Sequence, residues 1–206
     1  MLGAVAAPTL HGDRLAAALG AFFLAVGIGA HAFDVLHDRP LGTRFSSRSL
    51  AIGGGAALLG AMTIGVIGVV TVSVTLLPLV VLGGAICLAY NLELFGGRFH
   101  SDTWFALAWG AFPAWTGYWV NALSFSAAGA LVTIGCLALS VAQRRLSTPA
   151  RRLRRTTTAL SGEQRLADGS SIEISRAVLL APLDGALAGL SVGITLLACG
   201  LLAARL

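Results

Sequence analysis

The stretch Gly29-Ala30-His31-Ala32-Phe33-Asp34-Val35-Leu36-His37-Asp38-Arg39-Pro40 closes the first long apolar run of the chain. His31, Asp34 and Asp38 stand at i, i+3 and i+7, so a helix carries them on one face, with His37 off it. Ionisable groups at this depth are costly in hydrocarbon and mark functional sites by default. Two carboxylates on one face suit Mg²⁺, commonly held through one or two carboxylates plus substrate phosphate oxygens. His31 fits Mg²⁺ less well, because imidazole prefers Zn, Fe, Cu or Ni. His31, Asp34, His37 and His100 are therefore an alternative ligand set for a transition metal. Asp38 and Arg39 also read as an interfacial cap or a local ion pair. Pro40 ends the helix because it cannot continue the hydrogen-bond ladder.

A second polar cluster, Ala89 to Asp102, follows the third apolar run. Tyr90, Asn91 and Glu93 lie near a helix end, Gly96 and Gly97 make the turn, and Arg98, His100 and Asp102 follow. One reading is an interfacial hairpin with ordinary caps. The other is the second wall of a shared vestibule, with Arg98 binding phosphate oxygens. Asp184, in Pro182-Leu183-Asp184-Gly185, stands alone in the last apolar run. It either completes a site from the far side of the bundle or caps amides freed at a proline kink.

These residues need elements to hold them, and the composition says which. Of 206 residues, 56 % are hydrophobic and only 11 % charged, against roughly 25 % charged in soluble domains. The mean hydropathy is +0.84. A membrane-spanning helix needs about 20 mostly apolar residues. Six runs qualify: Leu15–Phe33, Ser49–Val70, Val74–Leu94, Thr103–Val120, Phe125–Val141 and Ala177–Ala203. The expected fold is an all-α polytopic transmembrane bundle of about six spans, a single membrane domain over 1–206. Small residues favour close helix contact in lipid, and Gly53, Gly54, Gly55 and Gly60 form one such surface. Cys87, Cys136 and Cys199 sit inside apolar runs as small hydrophobes, without metal-ligand spacing.

All 14 basic residues are arginine. Walking the spans alternately puts twelve of them, from Arg39, Arg44 and Arg48 through Arg98 to the run Arg144–Arg155, Arg165 and Arg176, on one side. Arg14 and Arg205 remain on the other. That distribution excludes nucleic acid as the reason for a pI near 10.1. By the positive-inside rule it makes the arginine loops cytoplasmic and puts both termini outside. It also draws anionic lipid headgroups to that face.

Residues 142–176 form a basic cytoplasmic loop between the last two spans. Its first part continues the fifth span as an interfacial amphipathic helix broken by Pro149; its second part, SGEQRLADGSSIEIS, reads as a loop. The loop either fixes topology as a solvated segment or contacts an anionic headgroup or diphosphate. Trp104, Trp109, Trp115 and Trp119 line the fourth span as anchors and packing groups.

The order of these features resembles the N-terminal half of the UbiA superfamily of intramembrane prenyltransferases. There a span ends in N-D-x-x-D-x-x-x-D, followed by a basic R-P-[LI]-x-[ST]-G segment and a Tyr-containing loop. Ala30–Asp38 lies on the first motif and Arg39-Pro40-Leu41-Gly42-Thr43 on the second. Gly83–Asn91 with Arg98 resembles the Tyr loop, and Gly110-Ala111-Phe112-Pro113 the following span. The likeness covers roughly residues 15–142. Ala30 and His31 replace the Asn and first Asp of the motif. The second Asp-rich motif is replaced by Gln143-Arg144-Arg145, and the family's nine or so spans are six here, so the native gene is expected to begin upstream.

The resemblance implies a transferase of alkyl groups acting on a polyprenyl diphosphate at the cytoplasmic face. Asp34, Asp38 and His31 would be the catalytic residues, Asp34 and Asp38 holding Mg²⁺ with His31 as an optional further ligand. Arg39, Tyr90, Asn91, Arg98 and Asp184 would bind substrate, Tyr90 facing an allylic cation. The missing second motif favours an alternative: a non-catalytic membrane subunit that binds lipid or isoprenoid, or anchors a complex, as a homo-oligomer or with a partner membrane subunit. The transition-metal membrane enzyme is the third reading.

Overall fold

The computed structural model describes residues 1–38 and 45–205, with only the backbone at His37 and Asp38. Among them the chain is mostly helical, with seven helices and one small hairpin. Helix α1 is the short Leu2–Val5. Helix α2 runs without a break through Gly12–Phe22, Phe23–Ala30 and His31–Asp38. Helix α3 is Ser47–Thr71. Helix α4 opens with a tight turn at Val74–Leu76 and continues as Leu77–Asn91. Helix α5 joins Asp102–Ala106, Leu107–Ala111 and Phe112–Ala122. Helices α6 and α7 are Ala127–Arg155 and Arg176–Ala203.

Serines start four of these helices. Ser46, Ser101, Ser126 and Ser175 each accept a hydrogen bond from the backbone N–H three residues on, meeting one of the orphan donors of a helix N-terminus. Both composite helices contain a π-helical stretch with an evident cause. Phe23–Ala30 holds Gly27 and Gly29, which weaken the tighter winding. Leu107–Ala111 stands just before Pro113, which has no N–H for the Trp109 carbonyl, so the helix widens ahead of it.

Five helices are long and apolar enough to cross a membrane: Gly12–Leu36, Ser47–Thr71, Val74–Asn91, Ala127–Arg155 and Arg176–Ala203. The expected fourth span is not among them. Its residues do form α5, but Asp102, Asn121, Tyr118 and four tryptophans make that helix less apolar than its aliphatic neighbours.

Helices α2, α3, α4 and α5 pack as a four-helix cluster. Phe33, Leu58, Cys87 and Ala30 form its buried core, with Met62 and Trp109 against them. Small residues set the spacing: a Cβ on Gly54 would come within 2.9 Å of the Phe33 ring, and one on Gly65 within 2.6 Å of Val80. Of the expected glycine surface, only Gly54 and Gly60 meet α2; Gly53 and Gly55 have nothing within 4 Å. The four glycines occupy different sides of one helix, so their nearness in sequence does not make one face.

Helix α6 packs on α5, and α7 packs on α6 at the periphery. Gly110 lets α5 and α6 touch, its would-be Cβ lying 2.7 Å from the Cys136 carbonyl. Helix α6 continues to Arg155 through Pro149 without interruption, where a break is expected from the sequence. Beyond it, the stretch expected to be a loop folds back as a hairpin of β1 (Glu163–Arg165) and β2 (Ser171–Glu173), pairing Glu163 with Glu173. Gly169 closes its turn at φ +86°. Asp168 accepts from the Ser170 N–H and hydroxyl, which holds its carboxyl below the usual range.

Helix directions define two ends. The C-terminal end of α2, the start of α3 and the segments 91–102 and 155–176 lie at the arginine-rich end. The N-terminus, 71–74, 122–127 and the end of α7 meet at the other.

Candidate functional site

Arg39, with Pro40–Thr43, lies outside the described residues, as does the side chain of Asp38. The pairing of Asp34 with Asp38 therefore falls outside them too. Among the described residues no group of three His, Cys, Asp or Glu side chains comes together as a metal site. His31 and Asp34 are both exposed, while Phe33 and Val35 on either side of Asp34 are buried. The His31 Nδ1 lies 3.0 Å from the Val26 carbonyl, in the π-helical stretch of α2. The Cys87 thiol donates to the neighbouring Ala25 carbonyl at 3.5 Å. Widened helix turns leave carbonyls for side chains to meet, and both residues do so here.

Tyr90 is the centre of the arginine-rich end. Its ring is buried and stacks on His100 with centroids 4.5 Å apart. It meets Trp109 edge-on at 5.6 Å and lies 6.2 Å from Phe105. The His100 Nδ1 is 3.0 Å from the Tyr90 carbonyl and 3.7 Å from Glu93. Arg144 lies over the Phe105 ring at 4.9 Å and donates to Asp102 at 2.5 Å. Through Phe105, α4, α5 and α6 contribute to one neighbourhood.

Asn91, expected to bind substrate, is buried and donates to the Cys87 carbonyl at 2.7 Å. Gly96 and Gly97 make the turn with φ of +68° and +74°, and Glu93 and Phe95 also take positive φ. Arg98 is exposed on that loop. Asp184 is ion-paired to Arg154 of α6, so its partner is the basic run rather than the α2 cluster.

A larger space lies elsewhere in the bundle. A cavity of about 510 Å³ lies between α2, α3, α4 and α5. Leu58, Met62, Val80, Phe112 and Trp109 are among its apolar walls, with Gly65, Gly83 and Gly84 giving it room. It begins at Asp13, Arg14, Thr71 and Val120 and ends at Val26, Cys87 and Trp109. From Asp13 to Val26 is about 20 Å at 1.5 Å per residue. Of the expected site residues whose side chains are described, none lines it. The small residues of α2, Ala16, Ala17, Ala18, Gly20 and Ala21, were the sequence signal for it; a cluster of small residues reads equally as a packing face, so the signal did not separate packing from space.

No protein-family model matches the chain, no curated protein matches it in sequence, and no solved structure matches its fold.

Proposed function

We propose that this chain is a polytopic membrane protein that holds one apolar lipid or isoprenoid chain inside the α2–α5 cluster. The cavity carries this reading: pockets of 300–1,000 Å³ with mainly apolar walls are the usual form of small-ligand sites, and this one is elongated and lined by four helices. In this reading α5 is a sixth span, anchored at both ends by its aromatics. The arginine-rich end faces the cytoplasm by the positive-inside rule, since Arg48, Arg98 and the α6 run lie there.

The test is native mass spectrometry of protein purified gently from membranes. The expected result is a retained lipid in the unmodified chain and in Asp34→Ala. Ala61→Phe, which fills the cavity from α3, should lose it. Equal retention in Ala61→Phe would contradict the reading.

A second reading, UbiA-like prenyl transfer, is favoured by one observation. Tyr90 edges onto Trp109, which lines the inner end of the cavity, so an aromatic bridge joins the cavity to the end carrying Asp34. The diphosphate would then lie by Asp34, Arg39 and Arg98, with the prenyl tail in the cavity. Incubation with Mg²⁺, a labelled prenyl diphosphate and an acceptor panel decides it. Release of diphosphate that disappears in Asp34→Ala supports transfer; unchanged diphosphate across the panel opposes it.

A further inference from the structure

The charged residues that line the cavity, Asp13 and Arg14, are at the end away from His31 and Asp34. Among the described residues, only two arginines belong to that end. Arg205 is engaged by the Ala7 carbonyl at 2.5 Å and the Pro8 carbonyl at 3.1 Å. Arg14 is half-buried, lines the cavity, and gives one bond, from Nη1 to the Val120 carbonyl at 3.2 Å. A guanidinium has five donors, so the Val120 contact holds Arg14 at this end of the cavity and leaves donors over. Asp13, beside it, is exposed in the first turn of α2, where a carboxylate complements the helix N-terminus. The remaining walls to Trp109 and Cys87 are apolar, apart from the hydroxyls of Thr71 and Thr116. The Thr71 hydroxyl donates to the Ile67 carbonyl of its own helix.

We propose that the cavity takes a single-chain amphiphile with a carboxylate or phosphate head, the head at Arg14 and the tail running inward to Trp109 and Cys87. The inference rests on the lipid-binding reading above and adds the charge of the head and the direction of the chain. That direction is opposite to the one prenyl transfer needs, where the charged head would lie at Asp34. Guanidinium and oxyanion match in geometry and charge, and the tail replaces an otherwise empty apolar space.

Nitroxide-labelled stearic acid tests it on the full chain in lipid nanodiscs. The label is placed next to the carboxylate or at the far end of the chain. The readout is the part of the tryptophan fluorescence that Trp109→Phe removes. The expected result is strong quenching of Trp109 by the far-end label and little by the near-head label. Arg14→Gln should weaken stearic acid binding about tenfold, the scale of one lost hydrogen bond to a charged group, and leave stearyl alcohol unchanged. If Arg14→Gln does not fold, the acid should still bind the unmodified chain about tenfold more tightly than the alcohol. Quenching of Trp109 by the near-head label, or equal binding of acid and alcohol, overturns the proposal while leaving the cavity a lipid site. Absence of any bound probe, with lipid retention unchanged in Ala61→Phe, removes the lipid-binding reading as well.

Discussion

At the end of the bundle near the N-terminus, Gly3 lies so close to α5 that a Cβ would collide with the Ala114 carbonyl oxygen and stand 2.9 Å from the Tyr118 nitrogen. Asn121 there is buried, accepts from the His11 N–H at 2.8 Å and donates to the Gly117 carbonyl at 2.9 Å. The Tyr118 hydroxyl donates to Ser126 at 2.7 Å. The arginine-rich end is closed differently, by the ion pairs Arg144–Asp102 and Arg154–Asp184 and by His100 against Glu93. Most of these groups are substantially exposed; the Asp102 side chain keeps 62 % of its surface. One end is thus fixed by backbone contact and buried hydrogen bonds. The other is held by charges at the surface, which leaves it freer to respond to salt, lipid headgroups or a phosphate.

Three substitutions break or sharpen that contrast. The largest effect belongs to Gly3→Ala. The new methyl meets backbone, which cannot turn aside, so α1 must leave its seat on α5 at about 1–3 kcal/mol or more. Thermal unfolding in detergent should show the loss directly. Asn121→Ala comes next, because it takes the side-chain acceptor from the half-buried His11 N–H; about 1–3 kcal/mol is expected, again by thermal unfolding. Smallest is Asp184→Asn. Its pair with Arg154 is about half exposed on both sides, so the cost is about 1 kcal/mol or less and should fade as salt rises. A salt-insensitive loss as large as that of Gly3→Ala would reverse the contrast between the ends.

The helices were legible because hydrophobic run length is a local signal. Five runs became the long apolar helices expected of them, and Gly96 and Gly97 make their expected turn with positive φ. The passage of α6 through Pro149 was not legible. A proline usually stops a helix, and only its packing beside α5 and α7 shows why this one continues. The hairpin at 163–173 was hidden in a polar segment whose Asp168-Gly169 turn was the one available sign. At the site, residue types pointed to the arginine-rich end, where Tyr90 stacks on His100 and Arg144 covers Phe105. Asp184 read either as completing a site or as capping freed amides; its Arg154 partner, thirty residues away, was not visible in the sequence. The cavity left no chemical signature, since it is an absence of side-chain volume shared among four helices. Arg14 looked like a minor topological charge for the same reason.

The account rests on an apolar chain lying along α2 between Arg14 and Trp109. A density map of the full-length protein in lipid nanodiscs tests this most directly. The account predicts continuous elongated density inside the α2–α5 cluster, beginning beside Arg14 and ending near Cys87. A cluster closed on itself with no density there, or a lipid held only at the His31 and Asp34 end, would contradict it.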